Sequence, residues 1–234
     1  MGTAPDLDVY PLCHFFIGKY LSLREDPTNF PADQFPDIFR RYEPLFASAL
    51  ETLAVRKEAL KRRSDFNFDS GDANNLKSGI ATLRMVETLR LAKFQNIRLV
   101  VPQKNSPAAD IVCEKNQIRA CWEVKAITKQ SGGRDGLFFA DQLYEKILEN
   151  ISRARAQLKS TASEMQCETA IFACVVNWFE QSIYLTQDDY QDVVNRLEQD
   201  QEQESLTGVD GVLFVTKLGQ QFWFLNENGK RIDK

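Results

Sequence analysis

Between Ile118 and Ile127 the chain reads Ile-Arg-Ala-Cys-Trp-Glu-Val-Lys-Ala-Ile, a run of β-forming residues interrupted by a carboxylate and an amine two positions apart. Side chains alternate across a strand, so Glu123 and Lys125 share one face while Trp122, Val124 and Ala126 share the other. Charged groups carried inward on an apolar strand cost several kcal/mol unless they are paired or bind an ion. A metal site beside a catalytic lysine would meet that requirement.

Asp110 to Glu114 reads as a second strand and Lys115, Asn116 and Gln117 as the turn, which makes a hairpin. Pairing of its strands brings the Asp110 carboxylate to the end of the sheet where Glu123 sits. Two converging carboxylates are what a hard divalent cation such as Mg2+ requires.

The remaining composition narrows the chemistry. With 234 residues the chain can bury a substantial core, as one domain with an added segment or two small ones. No run of eighteen apolar residues occurs, and Leu12 to Leu21 follows Asp6 and Asp8 and is interrupted by His14 and Lys19. The expectation is no membrane span and no signal peptide. Five cysteines (Cys13, Cys113, Cys121, Cys167 and Cys174) without CxxC spacing suggest buried thiols in a reducing cytoplasm. The single histidine, His14, disfavours His-based metal clusters and Ser-His-Asp triads. A net charge of −4 argues against bulk coating of nucleic acid but leaves room for a local basic groove.

Along the chain, Pro5, Pro11, Pro27, Pro31 and Pro36 break the N-terminal stretch into short pieces. A helix is expected from Pro44 to about Arg63, with Phe46, Ala49, Leu50, Leu53 and Leu60 on one face. It ends in Lys57, Lys61, Arg62 and Arg63, which complement the helix dipole or contact phosphates. The turn-rich residues 64–74 mark the expected boundary between an N-terminal helical segment, 1–70, and a main domain, 71–234. A helix from Leu76 to about Phe94 follows, with Ile80, Leu83, Glu87, Leu91 and Phe94 at the spacing of one face, so Glu87 lies in an apolar stripe.

Ile97 to Val101 is a short strand, and the Asp110 hairpin comes next. The Gly-Gly loop, 128–136, carries Lys129 and Arg134. The helix expected over 138–159 buries Leu143, Ile147, Ile151, Ala154 and Leu158 and presents Lys146, Asn150, Arg153 and Gln157 as a polar stripe. That stripe is solvated, or lines the site if the helix packs beside Lys125. Ala170 to Trp178 reads as a strand buried on both faces, a helix starts near Asp188, and a hairpin of Val209 to Thr216 and Gln221 to Leu225 closes the chain.

With Asp110, Glu123-Val124-Lys125 and Glu87 in this order, residues 76–178 resemble the PD-(D/E)xK nuclease superfamily. The resemblance implies an α/β restriction-endonuclease-like αβββαβ core with a central mixed sheet flanked by helices. The N-terminal helical segment and the C-terminal β-hairpin are additions to it. It further implies that Asp110, Glu123 and Glu87 bind Mg2+, with Mn2+ as substitute, and that Lys125 aligns or activates the attacking water. Gln157 or Lys146 would be the polar residue near the site on the following helix, and Lys129, Arg134, Lys146, Arg153 and Gln157 are weak candidates for contacting nucleic acid. One departure is that two alanines separate Pro107 from Asp110, where the motif joins Pro and Asp directly.

The expected function is a metal-dependent DNA endonuclease of a restriction or mobile-element defence type, cytoplasmic, with DNA as partner, no membrane, and a homodimer for cutting both strands. Two rivals remain. One is an inactive nuclease fold that serves as a nucleic-acid-binding or assembly module, and the other is an interaction protein in which Glu123 and Lys125 merely pair on an exposed sheet face.

Overall fold

The structure is a computed structural model, and it describes residues 9–22, 35–101, 107–127, 140–178, 183, 185–200 and 206–232. By compactness the chain divides into two units, residues 1–87 and 88–234.

The first unit is helical. α1 (Pro11–Ser22) opens on a proline, whose fixed φ suits a first helical position and whose missing N–H costs nothing there. It packs on α2 (Phe35–Leu53) with Phe16 stacked on Phe46, ring centroids 4.4 Å apart. The Glu43 carboxylate accepts the Leu12 and Cys13 N–H groups at 2.9 and 2.8 Å and so caps the start of α1.

The helix expected over 44–63 is two helices. α2 begins nine residues earlier and carries Pro44 inside it, then stops where Ala54 turns left-handed at φ 51°, and α3 (Lys57–Lys61) follows. No glycine or proline marks that stop, which is why periodicity ran through it. The α3 cations are engaged within the unit: Lys61 donates to the Phe15 carbonyl (2.7 Å) and pairs with Asp69 (3.0 Å), while Lys57 and Lys61 both stand over the Phe15 ring. The turn-rich stretch forms two 3-10 turns, Ser64–Phe66 and Phe68–Ser70, that bury Phe66 and Phe68. α4 (Ala73–Leu91) passes close over them: a Cβ on Gly79 would stand 2.7 Å from the Asp65 carbonyl oxygen and the Phe68 ring. The helix is buried nearly all round from Gly79 to Val86, so a single apolar stripe describes it poorly, and Leu91 in its last turn is 59% exposed instead of buried.

The second unit is a mixed α/β layer. It contains β1 (Gln95–Leu99), β2 (Ile111–Lys115), β3 (Ile118–Ile127), α5 (Ala140–Met165), β4 (Thr169–Val176), α6 (Gln187–Gln199), β5 (Gly211–Val215) and β6 (Gln221–Leu225). The six strands form one sheet in sequence order. β1, β2 and β3 are an antiparallel meander, β3, β4 and β5 run parallel, and β6 turns back antiparallel. The closing hairpin therefore continues the main sheet. Parallel neighbours need a crossover, and α5 and α6 supply the two that this order demands.

Asn116 and Gln117, at φ 52° and 67°, form the two-residue turn between β2 and β3; two left-handed residues match the twist of the strands they join. β4 is buried at all eight positions, as a central strand covered on both faces must be. α5 lays Leu143, Ile147, Ile151, Ala154 and Leu158 on the sheet face that carries Val112, Cys121, Phe172 and Cys174. Among the described residues no helix is long and apolar enough to cross a membrane.

Candidate active site

The β2–β3 register pairs Ile111 with Trp122, so Asp110, one step further, comes opposite Glu123. Two bonds hold it there: Asp110 N–H donates to the Trp122 carbonyl (2.9 Å), and Asp110 Oδ2 accepts the Val124 N–H at 2.7 Å. The carboxylate thus takes the place of a backbone acceptor at the end of the strand. Cys121 and Ile127 belong to the core under α5, and by alternation Glu123 and Lys125 point to that same side.

Glu123 is wholly buried. Its Oε1 accepts the Lys125 Nζ at 2.5 Å, and Oε2 has no hydrogen-bond partner among the described residues. Lys125 keeps about a third of its side chain exposed. Burial first, then the negative charge of Asp110, pushes the Glu123 carboxyl up to about 8, against the pull of Lys125 and the weaker effect of Gln157. For Lys125 burial disfavours the ammonium, but the Glu123 charge and hydrogen bond outweigh it and leave its pKa raised.

α5 supplies the roof. Gln157 Nε2 donates to the Ala108 carbonyl (3.1 Å), and Thr161 Oγ1 accepts the Ala109 N–H (2.8 Å). Lys146 lies near enough to act, with Lys125, on the buried Cys174 thiol, whose pKa is pushed up chiefly by burial and is lowered by both ammonium groups. Arg153 is 70% exposed and paired with Glu149 one turn away. Lys129 and Arg134 lie outside the described residues. Glu87 is half-buried on α4, at the end of the first unit. Thr161, which nothing in the sequence singled out, lies beyond the expected end of this helix at residue 159; α5 continues to Met165 and buries it.

Among the described residues no group of three or more His, Cys, Asp or Glu side chains stands together to hold a metal. Asp110 and Glu123, opposite each other across the hairpin, are the oxygen donors a hard divalent ion takes. Mg2+ takes one or two carboxylates and completes its shell with water and phosphate oxygens; Glu123 Oε2 is buried without a hydrogen bond among the described residues, and the Gln157 amide stands near enough to act on the carboxyl.

A pH effect follows. Between the ordinary glutamate value of 4.5 and about 8 the folded chain holds a proton that the unfolded chain has lost. The contribution of Glu123 to stability is therefore complete below pH 4.5 and disappears as pH rises through about 8. Urea melts from about pH 5 to about pH 9 should show wild type losing on the order of a few kcal/mol more than Glu123→Gln; parallel curves would contradict this.

No protein-family model matches the chain, and no curated protein does. A structural comparison finds a chain of the CdiA-CT/CdiI toxin and immunity complex from Burkholderia pseudomallei, with a TM-score of 0.37 and 15% sequence identity. The match covers 66% of this chain and 89% of that one.

Proposed function

We propose that the second unit is a metal-dependent nuclease domain that hydrolyses phosphodiester bonds in DNA. The observation that carries the reading is a buried carboxylate bonded to a lysine two residues away and faced by a second carboxylate across the hairpin. Its strand order, three antiparallel strands then a crossover helix and a parallel strand, is the order expected of the PD-(D/E)xK superfamily.

Asp110 and Glu123 would hold Mg2+ or Mn2+. When bound, such an ion lowers the pKa of water and offsets charge on phosphoryl oxygens. Lys125 would do the rest: its side chain, about a third exposed beside the buried Glu123, would orient the attacking water and offset charge on the scissile phosphate. Ion binding must displace the proton that burial keeps on Glu123, so affinity rises with pH up to about 8. The enzyme would be an endonuclease of a restriction or mobile-element defence type, and a homodimer would supply two sites for two strands.

A second reading is favoured by the absence of a three-acid group among the described residues: a nuclease-like fold that only binds nucleic acid. One experiment separates them. The purified chain is incubated with plasmid, linear duplex, single-stranded DNA and RNA in Mg2+, Mn2+ or EDTA. Cleavage of DNA with either ion that EDTA stops supports the enzyme. No cleavage of any substrate overturns it in favour of the binding module.

A further inference from the structure

The two alanines that separate Pro107 from Asp110 are where the following helix grips the chain. Ala108 offers its carbonyl to Gln157 and Ala109 its N–H to Thr161, 49 and 52 residues away in sequence. Ala109 and Thr161 are each 2% exposed, so water does not substitute for their bond. Neither alanine has a side chain long enough to keep α5 from the backbone.

On the far side of this strap Asp110 is fixed by two strands, its carbonyl accepting the Val100 N–H at 2.9 Å and its own N–H bonded to Trp122. We propose that Thr161 is a positioning residue: through the Ala109 amide it sets where the Asp110 carboxylate stands on the Val124 N–H, opposite Glu123. Gln157, one helical turn before it, holds the same strap at Ala108 and is the second anchor.

The physical case rests on what each group loses. Removing the hydroxyl leaves the Ala109 N–H buried with no acceptor, a desolvation cost that the strap relieves by moving outward. Movement of the strap takes the Asp110 side chain off Val124, because Cα of Asp110 directly follows Ala109. The Val124 amide is therefore a reporter of where the carboxylate is, and it needs no bound ion.

The inference bears on the proposed nuclease reading, since it explains how one metal ligand is aimed, but its primary readout is independent of activity. Amide hydrogen exchange is followed in wild type, Thr161→Val and Thr161→Ser. In the valine variant the Ala109 and Val124 amides should exchange about tenfold faster while Cys121 and Ala173 in the same sheet keep wild-type rates. The serine variant, which restores the hydroxyl, should return both amides toward wild type.

Unchanged protection of Val124 in the valine variant overturns the proposal. So does uniform acceleration across β3 and β4, which would show a merely structural role. Mn2+ titration of the same three proteins gives the link to function. Affinity falling in valine and returning in serine supports both ideas. Wild type that binds no Mn2+ sinks the metal-site reading and leaves the positioning of Asp110 to be decided by exchange alone.

Discussion

Lys125→Ala should lower Mg2+-dependent cleavage at least about a thousandfold, equivalent to roughly 4 kcal/mol of transition-state stabilisation, with DNA binding retained. The expectation follows from where the amine stands. It is the one partly exposed member of an otherwise buried pair, so it alone can meet a phosphate without moving the strand. Glu123→Gln should match it, since the amide keeps the shape and loses the charge that would hold the ion. Asp110→Asn keeps an oxygen for the Val124 N–H and should lose activity without losing the fold. All three are measured as initial rates on plasmid DNA, beside a binding assay in Ca2+. Full activity in Lys125→Ala would refute the assigned role.

Trp122→Ala should destabilise the protein by about 3–5 kcal/mol, the usual range for deleting a buried aromatic side chain. Trp122 is fully buried on the face of β3 opposite Glu123. Its ring meets Phe94 and Trp223 edge to face, at 5.6 and 5.9 Å, and its Nε1–H donates to Cys113 Sγ at 3.1 Å. This is what allows β3 to carry charge on its other face and stay in register. Trp122→Phe keeps an aromatic ring and loses the N–H bond, so it should cost about 1–2 kcal/mol. Equilibrium urea unfolding measures both. A loss below about 1 kcal/mol for the alanine variant would show that the strand is held by other means.

The parts legible in sequence are those with a short period or a short span. Alternation put Glu123 and Lys125 on one face, and a hairpin with a brief polar turn brought Asp110 opposite them; both need only neighbours within about a dozen residues. The continuous apolar run of β4 likewise announced burial on both faces. What failed was of two kinds. The stop of α2 at Ala54 has no helix-breaking residue, and the exposure of Leu91 reflects the last turn of α4, which the three-and-four spacing cannot foresee. Of the polar stripe on α5, Arg153 pairs with Glu149 while Gln157 reaches the Ala108 carbonyl, a division that spacing alone does not give.

By itself the amino-acid order determined which chemical groups share a strand face, because side-chain direction along a strand depends only on counting residues by twos. Only the tertiary structure decided which distant groups hold that face in place, Thr161 and Gln157 above all, because the packing angle of α5 on the sheet selects which of its polar side chains meets a backbone amide or carbonyl across some fifty residues of chain. The raised proton affinity of Glu123 belongs to the same category: a carboxylate has it only once the fold has taken its water away and set Asp110 beside it.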